Sequence, residues 1–272
     1  MKRILVPTDF SKCADNATRY AIHLATKTNS ELIIAHVSPV PAGGDVLFYV
    51  DTPIIGEKKQ SAIKQFDAFK KSTPQLAEIK HEFKFEFGFP VEIIKEWIKK
   101  LNIDLTVIGN RGATNNLDEF FGTTADDIIN HSECPVLCVP ENAPAENYKE
   151  IALALDYEDQ ANDHHAEMLR TIASALGCSI HIITIMNGQT DLDHYNEGKI
   201  TQWDNIFDGI NHHFHIIEDG NIEHGILNYS GDNNIDMIAV TPSRRSLVYQ
   251  LFHKSVSHGL VHHSRLPLLV IK

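Results

Sequence analysis

The chain has 272 residues, 43% of them hydrophobic, with 24 Lys and Arg against 36 Asp and Glu and a formal net charge of −12. That length suits two α/β domains of roughly 130 residues better than one. The acidity disfavours nonspecific binding to nucleic acid or to anionic membranes. No apolar run nears the ~18 residues of a membrane span, and the apolar run at Ile4–Val6 is too short for a signal peptide, so a cytoplasmic protein is expected.

Arg3–Pro7 is a short apolar run and reads as a buried strand. Ser11 has the chemistry of a helix N-cap, and Ala14, Ala17, Ala21, Leu24 and Ala25 share one face of the helix after it. Leu32–Val37 reads as the second strand, Pro41–Glu57 as a loop broken by Gly43-Gly44, and Lys58 to Ser72 as a polar helix. Phe83, Phe85 and Phe87 alternate as a half-buried strand, and Val91, Ile94, Trp97, Ile98 and Leu101 form the next helical stripe. Leu105–Ile108 is a strand, Thr123–His131 a helix and Val136–Val139 the fifth strand. Such alternation predicts an α/β fold, a five-stranded parallel sheet with helices on both faces. Ligands of such sheets sit beyond the carboxyl ends of the strands, at the topological switch point.

The chain then repeats. At a shift of 132, Ile103–Ile108 falls on Ile235–Val240, Phe120 on Phe252, His131–Leu137 on His263–Leu269 and Gly88 on Gly220. The first strand repeats at a shift of 147, with Asp9 on Asp156. This is a duplicated domain, 1–140 and 148–272, joined by a polar stretch with two prolines at 140–147. Cys13, Cys134, Cys138 and Cys178 do not make a disulfide framework. Cys134 and Cys138, read on one strand, would stand ~13 Å apart, so all four are expected as free thiols packed as small hydrophobes in a reducing compartment.

The segment with chemistry is Gly109-Asn110-Arg111-Gly112, nine further residues, then Gly122-Thr123-Thr124. Glycines where a strand stops let backbone N–H groups approach an anion. A helix opening on two threonines offers free N–H donors, hydroxyls and the positive end of its dipole. A plain turn at Gly109–Gly112 is the alternative. The pattern is neither a Walker loop nor the dinucleotide fingerprint, whose glycines follow the first strand.

Gly109-x2-Gly112-x9-Gly122-Thr123 resembles the ATP-binding signature of the universal stress protein (UspA) family. Ile4–Ser11 is similar to that family's first strand and acidic turn, and Cys134–Val139 to the end of its domain. The resemblance covers both copies and implies two tandem Rossmann-like (HUP-type) domains in a nucleotide-responsive stress regulator that binds ATP, with Mg2+ or Mn2+ as the accompanying ion. A slow ATPase or phosphotransferase using the same site is the rival. Carried over by position, the resemblance implies that Asp9 binds the ribose or adenine side, with Pro7 and Thr8 against the base. It further implies that Val37 closes the adenine pocket and Gly109 lies by the ribose. Gly112, Gly122, Thr123 and Thr124 would hold the phosphates, with Arg111 in the same loop. Taken alone, Asp9 reads better as an N-terminal helix cap and Val37 simply as core.

In the second copy Gly109 becomes Thr241, Gly112 becomes Arg244, Gly122 becomes Lys254 and Thr123 becomes Ser255. Every cradle glycine gains a side chain. The expectation is a degenerate site, kept as a scaffold and paired with the first copy through edge strands ending near Val139 and Ile271; a homodimer is also compatible. An anion gripped by Arg244, Arg245 and Lys254 is the rival reading. His258 and His262 have the spacing of two ligands on a helix face, but no His-Glu-x-x-His accompanies them. They read as surface polar residues, as do His212, His213, His215, His253 and His263, and no metal site is assigned. Ser11, Ser132 and Ser264 lack a Gly-x-Ser-x-Gly setting, so no catalytic residue is assigned.

Overall fold

The computed structural model describes residues 1–40, 53–110, 123–146, 148–155, 163–186, 197–241 and 266–272. It divides into two compact units, Met1–Ala145 and Glu146–Lys272, with the division inside the polar stretch 140–147.

The first unit runs β1 (Arg3–Pro7), α1 (Lys12–Thr28), β2 (Glu31–Pro39), α2 (Pro53–Ser72), a 3-10 turn at Pro74–Glu78, β3 (His81–Gly88), α3 (Pro90–Lys100), β4 (Leu105–Gly109), α4 (Thr123–His131) and β5 (Val136–Val139). The strands are parallel in the order β3-β2-β1-β4-β5. β1 is central, and its Ile4, Leu5 and Val6 are fully buried, as the unbroken apolar run requires of a strand covered on both faces. Each such side chain contributes ~1.5–3 kcal/mol by leaving water. The helix predicted from Ser11 begins there: the Ser11 hydroxyl accepts the Ala14 N–H at 3.2 Å.

Some boundaries differ from the sequence reading. β2 continues past Val37, because Ser38 and Pro39 still pair with Phe87 and Gly88 of β3. α2 starts at Pro53, inside the expected loop; proline is favoured in a first helical turn, where its missing N–H would have no partner anyway. Cys134 lies before β5, whose first residue is Val136.

The second unit runs β6 (Glu150–Ala154), α5 (Asp163–Leu176), β7 (Ser179–Met186), α6 (Glu197–Ile206), β8 (His212–Glu218), α7 (Ile222–Asp232), β9 (Met237–Val240) and β10 (Leu268–Val270). Its parallel order, β8-β7-β6-β9-β10, repeats the first. Residue by residue, α7 falls on α3 and the start of β9 on the start of β4 at the shift of 132, and β6 falls on β1 at 147. Asn102 and Asn234, equivalent by that shift, both take the left-handed conformation after their helices, with φ of 48° and 52°. A carboxylate clasp is duplicated too. Asp104 Oδ2 accepts the Lys2 and Arg3 N–H groups at 2.6 and 2.8 Å, and Asp236 Oδ2 accepts those of Lys149 and Glu150 at 2.7 and 3.1 Å. The four cysteines are free and buried. No helix among the described residues is long and apolar enough to cross a membrane.

Candidate functional site

In the order β3-β2-β1-β4-β5 the chain winds outward from β1 through β2 to β3, then returns to the other side of β1. The switch point therefore lies between the carboxyl ends of β1 and β4. Ile4 pairs with Leu105 and Leu5 with Thr106, so four residues on from the first pair Thr8 stands level with Gly109. The pairing of Pro7 with Ala35 likewise brings Asp9 level with Val37.

Pro7 ends β1 half-buried. Thr8 is buried, donates its N–H to the Ala35 carbonyl at 2.8 Å, and accepts the Phe10 N–H on Oγ1 at 3.0 Å. Asp9 is exposed, and its Oδ1 accepts the Ser11 N–H at 3.0 Å. Thr8 and Asp9 thus hold backbone N–H groups of the β1–α1 turn, and Ser11 holds one in the first turn of α1. Phe10, between them, has φ of 60°, which costs a bulky L-residue about 1–2 kcal/mol. Val37 is half-buried within β2, two residues short of its end, not at the last strand position where the sequence reading ended it.

Gly109 has a packing reason of its own. A Cβ there would stand 2.9 Å from Cys13 Sγ and 3.0 and 3.1 Å from the Cys13 C and Ala14 N backbone atoms. α1 therefore lies directly on the end of β4. Beside it, Asn110 donates its N–H to the Val139 carbonyl at 3.1 Å, and the Cys13 thiol lies 3.2 Å from Asn110 Oδ1. Thr123 opens α4, and Thr124 is exposed in its first turn. That helix follows β4 and precedes β5, so its N-terminus faces the same edge. Arg111, Gly112 and Gly122 lie outside the described residues. The structure thus brings Pro7, Thr8, Asp9, Val37 and Gly109 to one edge, with the opening of α4 on that side.

The sequence reading missed an aromatic group behind this edge. The Phe10 ring lies 5.0 Å from His36 and 6.3 Å from Phe83, and Phe83 stacks on Phe66 of α2 at 4.4 Å. His36 Nδ1 lies 2.7 Å from the Thr8 carbonyl oxygen. The one available signal was β2 and β3 alternation, which puts His36 on the face of Phe83 and Phe85. Burial raises the pKa of Asp15, in the first turn of α1, with Arg19 opposing and Asp9 adding to the rise. Burial also pushes the Cys134, Cys138 and Cys178 thiols upward, Cys178 to about 12, so none of these three is a thiolate near neutrality.

The second unit keeps the frame of this edge and changes its surface. Leu155 repeats the Thr8 bond by donating its N–H to the Ile183 carbonyl at 3.0 Å, but brings no hydroxyl. Buried Ile185 replaces Val37, and buried Thr241 replaces Gly109. Asp156, Arg244, Arg245, Lys254, Ser255, His253, His258, His262 and His263 lie outside the described residues. Of the histidines read as surface residues, His213 is exposed, but His212 and His215 are partly buried. His212 is held by Asp204 Oδ1 at 3.0 Å. His215 lies 5.5 Å from the ring of His181, 6.5 Å from that of His213 and 5.1 Å from that of Tyr229, and its buried Nε2 has no hydrogen-bond partner. Burial lowers its pKa, and His181 and His213 add to the shift. His181 bridges Tyr229 Oη at 2.7 Å and Glu150 Oε2 at 2.9 Å. Burial, with Glu150 nearby, pushes the Tyr229 hydroxyl up to about 12. Among the described residues no three His, Cys, Asp or Glu side chains converge to hold a metal ion.

The model of the universal stress protein family matches residues 1–140 and 204–272. A universal stress protein of Methanocaldococcus jannaschii is 31% identical over 144 residues, covering 51% of this chain and 81% of that protein. A universal stress protein A homolog of Coxiella burnetii is 28% identical over 141 residues, covering 51% of this chain and 95% of its own. The crystal structure of a universal stress protein from Archaeoglobus fulgidus matches with a TM-score of 0.74 at 21% identity, covering 99% of this chain and 98% of that one; it shows the Rossmann-like fold.

Proposed function

Because this chain belongs to the universal stress protein family, we propose that its first unit binds ATP at the carboxyl edge between β1 and β4 and that the protein works in the cytoplasm as a nucleotide-responsive regulator. The observation that carries the reading is the convergence of Thr8, Asp9 and Gly109 on the switch point. The residues there fit a nucleoside phosphate. The exposed Asp9 carboxylate suits ribose hydroxyls, and half-buried Val37 with Pro7 suits an apolar base. The opening of α4, with the Thr124 hydroxyl and the family's glycine signature ahead of it, suits phosphates. ATP with Mg2+ or Mn2+ would bring a leaving phosphate and its counter-charge; this chain's residues bind and orient them.

The second unit lacks that fit where it is described, with Leu155, Ile185 and Thr241 buried at the corresponding places. Titration of the full chain should therefore saturate near one ATP per chain; two equivalent sites would contradict the reading. Gly122→Val should weaken ATP about a hundredfold, the loss of two hydrogen bonds to a charged phosphate. The same change should weaken adenosine much less, and Lys254→Val should leave ATP binding unchanged. Bound ATP recovered intact after many minutes supports a regulator; prompt conversion to ADP supports the slow ATPase instead.

A further inference from the structure

We infer that His36 and Phe10 are positioning residues: together they hold the Thr8–Ser11 turn in the one conformation that presents Asp9 at the strand edge, and so set the affinity of this edge for a nucleoside. The inference rests on the nucleotide reading above and names residues outside the family's signature.

Phe10 has a left-handed backbone, with φ of 60°, which a bulky side chain keeps only where its surroundings over-determine it. Those surroundings come from four elements. Within the turn, Thr8 Oγ1 and Asp9 Oδ1 accept the Phe10 and Ser11 N–H groups, each at 3.0 Å. From β2, His36 Nδ1 reaches the Thr8 carbonyl at 2.7 Å. A carbonyl oxygen can only accept, so Nδ1 carries the hydrogen. The same imidazole lies 5.0 Å from the Phe10 ring. From β3, Phe83 lies tilted 6.3 Å from that ring, and Phe66 of α2 stacks on Phe83. His36 therefore touches the turn twice, by its N–H at Thr8 and by a tilted ring contact at Phe10, on either side of Asp9. The second unit supports the link to ligand binding. The strand registers, which pair Pro7 with Ala35 and Ala154 with Ile183, set Thr184 at the place of His36 and Leu155 at that of Thr8, so the imidazole is missing in the copy whose edge has also lost its glycines.

The test uses the full chain, with His36→Leu to remove the donor at similar bulk and His36→Asn to keep an N–H near the position of Nδ1. Calorimetry with ATP and with adenosine should show His36→Leu weakening both by about tenfold, the ~1.4 kcal/mol of one hydrogen bond. His36→Asn should stay within about threefold of the parent. Hydrogen exchange at the Phe10 and Ser11 amides of ligand-free protein should speed up in His36→Leu and not in His36→Asn, with the β1 core amides unchanged in both as the check on folding. Parent-like binding by His36→Leu, equal losses in both variants, or a loss confined to ATP would each overturn the inference. If the parent chain binds neither ligand, the nucleotide reading falls. The exchange arm then judges the turn by itself: faster Phe10 and Ser11 amides in His36→Leu support the grip, and unchanged ones overturn it.

Discussion

The two units agree at the amino ends of their strands and part at the carboxyl ends. At the amino ends both fasten the first strand to the fourth with an aspartate, Asp104 or Asp236, on two successive backbone N–H groups. At the carboxyl ends Thr8, Val37 and Gly109 of the first unit are replaced by Leu155, Ile185 and Thr241 in the second. The clasps are kept in both units while the edge residues differ, so a duplicated domain can keep its sheet while its edge changes chemistry. Their charges part as well. Among the described residues, the ion pairs of the first unit join Lys or Arg to carboxylates, whereas those of the second are His181–Glu150, His212–Asp204 and His224–Asp219. The second unit holds 12 of the 16 histidines but only 8 of the 24 Lys and Arg.

The largest effect should come from making the first edge like the second. Gly109→Val sets a branched side chain against the α1 backbone, where even a lone Cβ would stand 3.0 Å from Cys13 C. We expect about 2–3 kcal/mol of destabilisation of the first unit, read by urea unfolding, together with loss of ATP binding. Thr241→Ser, which keeps a Cβ and a hydroxyl, should cost less than half of that. Equal costs would mean that the two edges pack alike.

The clasps should behave identically. Asp104→Ala and Asp236→Ala each strand two N–H groups at a strand start. Each should cost about 1–2 kcal/mol and speed hydrogen exchange at the start of β1 or β6. A clear loss in one unit only would show that the shared frame is not equally used.

The smallest effect separates the units by pH. The folded pKa of His215 lies below its unfolded value, because burial disfavours the cation. The unfolded chain therefore binds more protons as pH falls below about 6.5, and stability present above that value is lost. His181, His213, Tyr229 and, through His181, Glu150 are the titratable groups facing it. In the first unit, Glu31 has its pKa lowered by hydrogen bonds from Lys80 and then Arg3 against some desolvation. Its contribution is kept above the ordinary carboxylate range and lost only at lower pH. Hydrogen exchange at pH 7.5 and 5.5 should show α7 and β8 loosening while β1 and β2 hold. Parallel loosening of both units would remove the electrostatic distinction.

The parallel sheets, the order of elements and the duplication were legible because they rest on local signals: apolar runs at Ile4–Val6 and Val136–Val139, the alternating Phe83, Phe85 and Phe87, and a constant shift between copies. The place of Asp9 and Gly109 at strand ends was legible for the same reason. What stayed hidden depends on contacts between distant segments. Nothing near Phe10 announces a left-handed backbone, which Thr8, His36 and Phe83 enforce together. Val37 looked like a strand end because Ser38-Pro39 resembles a stop, and only pairing with β3 carries the strand on. His181 and Tyr229 are 48 residues apart, beyond any periodicity. Gly109 was read as a place for phosphate, while its demonstrable constraint is the backbone of α1.

The central position of β1 bears on how the chain is made. β1 is made before its sheet partners and can pair with β2 early, but its partner on the other side, Leu105 for Ile4, is 101 residues later. At about 5–20 residues per second, the apolar edge of Ile4–Val6 stays open for roughly 5–20 s of synthesis, a period in which a bare strand invites other chains. Asp104 emerges one residue ahead of Leu105. Its carboxylate, closing on Lys2 and Arg3, can set the register of the late pair just as β4 arrives. In the second unit Ile151 waits for Met237 over a shorter interval, and it does so after the first unit has had every strand it needs.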